Sequence, residues 1–137
     1  MTTPIRKNKK LPTVNKKTAQ LFQEENDCWR RVLAFLQAEN NYLKVRLAHL
    51  VNGEISKKFL AQAESLQSEL IQNDELIALT RSALSEFDNY LNRYSENNRG
   101  IEDVSKRHEK LRQQMDHLEY NFSKNRAKFN EHLMQNI

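Results

Sequence analysis

The chain has 137 residues, with 29% charged and 38% apolar side chains, two glycines, two prolines and one cysteine. So few turn residues are typical of long helices; they exclude a strand-rich domain and a glycine-rich phosphate loop, and one cysteine excludes an internal disulfide. The net charge of +4 comes from residues 1–17, which carry six basic and no acidic side chains, since the remainder carries 16 basic against 18 acidic residues.

Residues 1–16 are predicted to form a basic tail that contains both prolines. Such a segment buries too little apolar surface to offset the entropy of ordering it, so we expect it to be disordered. Its charges could neutralise phosphates of a nucleic acid or of an anionic surface, and the alternative is a tail that only improves solubility. The candidate polyanion-binding residues are Arg6, Lys7, Lys9, Lys10, Lys16 and Lys17.

The first predicted helix covers residues 17–51 and carries two apolar seams. The first seam alternates spacings of four and three: Phe22, Asn26, Trp29, Leu33, Leu36, Asn40, Leu43, Leu47 and Leu50. The second seam runs beside it: Leu21, Cys28, Val32, Phe35 and Tyr42. Because one narrow seam needs one partner, we expect two adjacent seams to be covered by two neighbouring helices. Trp29 is predicted to be a core residue and Cys28 a small buried one, with a reactive or intermolecular thiol as the alternative for Cys28.

Two further helices follow, at about residues 55–96 and 101–135. Asn52 and Gly53 predict the end of the first helix, because these residues adopt the left-handed conformation of a C-cap most easily. The second seam series is Phe59, Ala63, Leu66, Leu70, Asn73, Ile77, Thr80, Leu84, Phe87, Leu91 and Tyr94. The third is Ile101, Val104, His108, Leu111, Met115, Leu118, Phe122, Asn125, Phe129, His132 and Asn136. Between them, residues 95–100 favour a turn over one continuous rod with a shift in phase.

Long helices joined by short turns predict an all-α fold: an elongated antiparallel three-helix bundle, up-down-up, with coiled-coil-like heptad packing and a disordered basic N-terminal tail. Residues 17–137 are predicted to form one domain. The polar seam residues suggest a register, in which Asn26 lies level with Thr80 and Asn73 lies level with Asn125. Buried polar residues that meet can fix the register of helices, whereas side chains that only reach the edge of a seam cannot.

Catalytic and metal chemistry find no support in the pattern. No seam position is acidic, and none of the four histidines follows a carboxylate by three residues as di-iron bundles require. His108 and His132 share one helix but lie roughly 36 Å apart by helix rise, so we expect structural histidines and no cofactor. Neither a membrane span of about 18 apolar residues nor a signal peptide is present, which predicts a cytoplasmic protein.

The apolar residues beyond one seam per helix motivate the functional hypothesis of a non-enzymatic interaction or scaffold protein. The candidate self-association surface is Cys28, Phe35, Tyr42, Leu76, Leu79 and Tyr90. Its expected partner is a second copy of the chain in a homodimer, or another helical protein. The alternative is a bundle that displays its basic tail to nucleic acid or another polyanion. No small-molecule substrate is indicated.

Overall fold

The computed structural model describes residues 16–53, 57–97 and 101–135. They form three helices: α1 (Lys16–Val51), α2 (Lys57–Asn97) and α3 (Ile101–Gln135). The helix boundaries predicted from the sequence agree with these to within two residues. Except for residue 16, the predicted tail lies outside the described residues.

The three helices form the predicted up-down-up bundle. α2 packs closely against both α1 and α3, whereas α1 and α3 meet over fewer positions. Lys128 of α3 donates to Glu69 of α2 at 2.8 Å, so α3 folds back along α2 and the alternative of one continuous rod is wrong. At 1.5 Å per residue α2 is about 60 Å long, which makes the bundle elongated.

One apolar core runs along the bundle, and the seam residues supply nearly all of it. Their recurrence every three and four residues places them on one side of each helix, where the three apolar sides meet. Trp29 is buried in this core, as predicted. The buried apolar residues are Trp29, Leu33, Leu36, Leu43, Leu47, Phe59, Ala63, Leu66, Leu70, Ile77, Leu84, Phe87, Tyr90, Leu91, Val104, Leu111, Met115, Leu118, Phe122 and Phe129.

α1 ends at the predicted position, but Gly53 does not adopt the predicted left-handed conformation. The backbone N–H of Asn52 donates to the Ala48 carbonyl at 3.1 Å, and that of Gly53 donates to the Leu50 carbonyl at 3.3 Å. The φ angle of Gly53 lies outside the left-handed region, and a Cβ there would meet the Leu50 carbonyl oxygen at an ordinary 3.7 Å. The helix therefore ends in a tight turn that other residues could adopt at position 53.

The predicted register of α2 and α3 is confirmed. Asn125 Nδ2 donates to Asn73 Oδ1 at 3.3 Å, and Asn73 Nδ2 donates to Asn40 Oδ1 at 3.4 Å. These two hydrogen bonds join one asparagine from each helix into a polar layer within the apolar core. Because an amide displaced by one turn would lose its partner, this layer favours a single axial alignment of the helices.

The predicted pairing of Asn26 with Thr80 is wrong. Asn26 Nδ2 donates to Asp88 Oδ1 at 2.9 Å, and the Thr80 hydroxyl donates to the Leu76 carbonyl of its own helix at 2.8 Å. The prediction placed the midpoint of the hairpin at Gly53, whereas the observed contacts place it near residue 57. This displacement moves the partner of Asn26 along α2 by about one heptad, which preserves the face and changes the level.

Candidate functional site

The second seam of α1 lies on the surface of the bundle. Leu21 is 60% exposed, Phe35 58% and Tyr42 57%, while Val32 is half-buried against the core. Two further apolar residues of α1 share this face, the exposed Ala38 and Val45, which is 57% exposed. We define the outer seam as Leu21, Cys28, Phe35, Ala38, Tyr42 and Val45.

The charged flanks of α1 explain why the outer seam faces away from both neighbours. On one flank, Arg30 and Lys44 form ion pairs with Asp88 and Asp74 of α2. On the other, Glu25 accepts from Arg112 of α3 at 2.8 Å, and Glu39 lies 3.8 Å from Arg126. Positions on the opposite side of a helix from its buried seam, and between two such flanks, can only point outward.

This exposure corrects two expectations. We predicted that neighbouring helices would cover both seams of α1, but α2 and α3 cover only the first. We also predicted that Cys28 would be buried, and it is exposed. The reason is that one buried seam per helix is enough to close a three-helix core, so apart from the half-buried Val32 the second seam packs against no other helix within the described chain. Spacings of three and four through 35, 38, 42 and 45 were the sequence signal that could have added Ala38 and Val45.

The α2 residues of the predicted surface do not extend the outer seam. Leu79 is 65% exposed, but it lies on the side of α2 toward α3, where Glu69 and Tyr90 contact α3. Leu76 is half-buried against the core. Tyr90 is buried, and the Arg107 guanidinium carbon lies 3.6 Å from its ring centroid. Tyr90 is therefore a core residue and not part of a free surface, which corrects the prediction.

A cluster of aromatic and polar side chains surrounds the buried His108. Trp29 stacks on its imidazole with ring centroids 4.8 Å apart, and the rings of Phe22 and Phe87 lie at 4.6 Å and 5.1 Å. Because Asn26 donates its amide to Asp88, its Oδ1 faces His108 and accepts from Nε2 at 3.0 Å. Three helices thus converge on one side chain, which confirms the expectation of a structural histidine.

The cluster favours neutral His108. Burial among the aromatic rings lowers the pKa of His108 from its usual 6.5. Glu25, with Oε1 at 3.5 Å from Nδ1, and Glu109 oppose this shift, while Arg112 adds to it. Although burial acts against its charge, the ion pairs with Glu109 and Glu25 raise the pKa of Arg112 above its usual value. The charges of Glu25, Glu109 and Arg112 therefore have opposite charges as partners within the bundle.

A second polar cluster surrounds Asp74. Asn40 Nδ2 donates to Asp74 Oδ1 at 2.7 Å and to the Leu70 carbonyl at 2.8 Å, and Gln37 donates to the same carboxylate at 3.0 Å. Burial alone would raise the pKa of Asp74, but the bonds from Lys44, Gln37 and Asn40 outweigh it and lower the pKa. Asn40 belongs both to this cluster and to the asparagine layer, so the cluster links the layer to the ion pairs between α1 and α2.

Other kinds of site find little support in the structure. Among the described residues, no three His, Cys, Asp or Glu side chains come together as metal ligands would. No helix within residues 16–53, 57–97 and 101–135 has the length and apolar character that crossing a membrane requires. Of the candidate polyanion-binding residues, Lys17 is exposed near the start of α1, and the prediction for Arg6, Lys7, Lys9 and Lys10 lies outside the described residues.

Comparisons with protein-family models, with curated proteins and with solved structures found no match for the chain. The outer seam of α1 is an apolar surface along one helix, bordered by charged residues, and among the described residues it packs against no other helix.

Proposed function

We propose that this protein is a non-enzymatic helical interaction or scaffold protein that associates with a second copy of itself through the outer seam of α1. The observation that carries the proposal is the exposure of that seam, which leaves Leu21, Phe35, Tyr42 and Val45 each more than half accessible. These residues recur along one face of a single helix, whereas scattered exposed apolar residues would need no explanation. A cytoplasmic location stays a prediction of the sequence.

The energetics favour a helix as the partner. Burying a large apolar side chain fully contributes about 1.5–3 kcal/mol, so four half-exposed ones supply a driving force of several kcal/mol before the cost of association. The outer seam extends over residues 21–45, roughly 36 Å of helix. Its spacing of three and four residues is the spacing by which helices pack along one another. Glu24 and Arg31 interrupt the apolar residues, which favours a defined alignment over indiscriminate aggregation.

We expect the full chain to be a dimer at high micromolar concentration, measured by size-exclusion chromatography with multi-angle light scattering. The double substitution Phe35→Glu and Tyr42→Glu should convert it to a monomer, because two dimer-related copies would bury four carboxylates without partners. Its matched control is the double substitution Tyr120→Glu and Met134→Glu, which places the same two charges on α3 at side chains that are 65% and 74% exposed. A monomeric wild-type chain, or a control that dissociates equally, contradicts the proposal.

A second candidate function, polyanion binding by the tail, is favoured by the six basic residues in positions 1–17. We expect a labelled DNA duplex to bind the full chain and not a chain that lacks these residues. Because bound phosphates release counterions, the logarithm of the affinity should fall with the logarithm of salt concentration, with a slope as steep as about −5. Binding that survives the deletion, or that is insensitive to salt, refutes this function.

A further inference from the structure

We infer that two copies of this chain pair their outer seams antiparallel about a two-fold axis, so that Cys28 of each copy lies beside Val45 of the other. The inference rests on the proposed self-association and adds to it the direction and the register of the contact. Three observations carry it: the distribution of charge along the outer face of α1, the order of large and small residues in the seam, and the exposed alanines beside it.

Charge along the outer face favours the antiparallel direction. The exposed acidic residues near its N-terminal end are Glu24 and Asp27, of which Asp27 pairs with Arg30, and the exposed arginine Arg46 lies near its C-terminal end. Parallel pairing would place Glu24, which lies in line with the seam, against Glu24 of the other copy, like charge against like. Antiparallel pairing places the acidic end of one helix against the basic end of the other, which is favourable over the distances between neighbouring helices.

Antiparallel helices can keep seam against seam in registers that differ by one heptad, and the flanking charges select one of them. In the register that sets Cys28 beside Val45, Glu25 of one copy faces Arg46 of the other. Sliding either way by one heptad instead sets Glu39 against Glu25 or against Glu39 of the second copy. Glu25 and Glu39 also hold ion pairs with Arg112 and Arg126 of α3, which weaken this like-charge contact, but it still makes the two displaced registers less favourable.

The same register places large side chains opposite small ones. Phe35 of each copy faces Ala38 of the other, next to the two-fold axis, and Cys28 faces Val45. Arg31, which interrupts the apolar residues of the seam, faces the ring of Tyr42, where its guanidinium can lie over the aromatic face. Interdigitation of this kind lets two helices pack at native density without cavities.

Exposed alanines beside the seam permit close approach. Ala34 and Ala48 occupy the border of the outer seam on the side toward α2, and both are exposed. In the inferred register, Ala34 faces Asn41 and Ala48 faces Asp27 of the second copy. Side chains this small let the axes of two helices come within about 8–10 Å, the separation of well-packed helices.

Disulfide formation tests the register directly. At an axial separation of 8–10 Å, facing Cα atoms come within the 4.4–6.8 Å or so that a disulfide spans. We expect the V45C variant, which keeps Cys28, to become a covalent dimer when oxidised glutathione is supplied as the electron acceptor. The wild type should not cross-link, because the two Cys28 residues would lie 17 positions apart along the pair, roughly 25 Å.

The controls separate register from chance collision. V45C combined with C28S should not cross-link, because its two thiols would again lie roughly 25 Å apart. Y120C, which keeps Cys28, places a thiol on an exposed position of α3 and should show only background cross-linking. Light scattering on reduced V45C verifies that the variant associates before oxidation.

The remaining outcomes distinguish failure of this inference from failure of the proposed function. Cross-linking of the wild type through Cys28 indicates parallel pairing or an antiparallel register displaced by two heptads, and either overturns the inference, although self-association stands. A dimeric V45C that does not cross-link also overturns the inference. The Phe35→Glu and Tyr42→Glu variant then separates another register of the outer seam, which leaves the proposed function standing, from another surface, which does not. A monomeric wild type overturns both.

Discussion

Replacing Asn40 by alanine should lower the free energy of unfolding by about 2–3 kcal/mol. Asn40 is fully buried, and its amide nitrogen donates to the Leu70 carbonyl and the Asp74 carboxylate while its oxygen accepts from Asn73. A bond to an ionised acceptor contributes more than a neutral one, and the substitution also leaves the buried Asn73 amide without this acceptor. Urea denaturation followed by circular dichroism measures the difference.

The matched control for this prediction is Asn89→Ala. Asn89 is exposed on α2, so both substitutions gain the same few tenths of a kcal/mol in helix propensity and only one removes a buried amide. We expect the control to change stability by less than about 0.5 kcal/mol. Equal changes in the two variants would show that the asparagine layer contributes nothing to stability. All samples need one protein concentration, because unfolding coupled to dissociation depends on it.

Acidification from pH 7.5 to pH 5 should destabilise the fold through His108. Burial lowers the pKa of His108 below its usual 6.5 in the native state, so the unfolded chain binds the proton more readily. The stability that neutral His108 contributes is therefore fully present above about pH 6.5 and is lost as the pH falls through the lower, native pKa. The slope for one proton is at most about 1.4 kcal/mol per pH unit.

The groups around His108 decide how steep this loss is. Glu25 of α1 and Glu109 of α3 favour the charged imidazole, whereas Arg112 opposes it. Asp88 of α2 is linked to the imidazole through Asn26, which donates to Asp88 and accepts from His108. Since burial outweighs the two carboxylates, the charged form remains the less stable one. Asp74 contributes in the same direction only below about pH 3.8, where its lowered pKa begins to matter.

His108→Gln should remove most of the pH dependence while keeping an amide that can donate to Asn26. His117→Gln, at an exposed position of the same helix, should leave the pH dependence of stability unchanged. Urea denaturation of both variants and of the wild type at pH 7.5, 6.5, 5.5 and 5.0 makes the comparison. If His108→Gln titrates like the wild type, another group is responsible and the account of His108 is wrong.

Local features made the helices predictable. Spacings of three and four residues identified one buried seam in each helix, and the paired Asn-Gly and the polar stretch at 95–100 marked where the helices end. These signals lie within a few residues of the feature they predict, so no tertiary information was needed. The level pairing of Asn73 with Asn125 followed in the same way, because only three residues separate α2 from α3.

Errors arose where a distant part of the chain decides the outcome. The partner of Asn26 depends on the position of the midpoint of the α1–α2 hairpin. The observed midpoint lies near residue 57 and not at Gly53, so Asn26 pairs with Asp88. Tyr90 carries the same apolar signal as Leu79, yet Arg107 and Phe87 cover it and leave Leu79 exposed. A periodic pattern shows which side of a helix a residue occupies and not what stands opposite.

The sequence by itself determined that this protein is three helices with an apolar seam on each, because helix periodicity and turn chemistry are local properties of the chain. Only the tertiary structure decided that the second seam of α1 stays uncovered. A core formed by three seams is complete without it, and the charged flanks that bind Asp74, Asp88 and Arg112 turn Phe35, Tyr42 and Val45 outward.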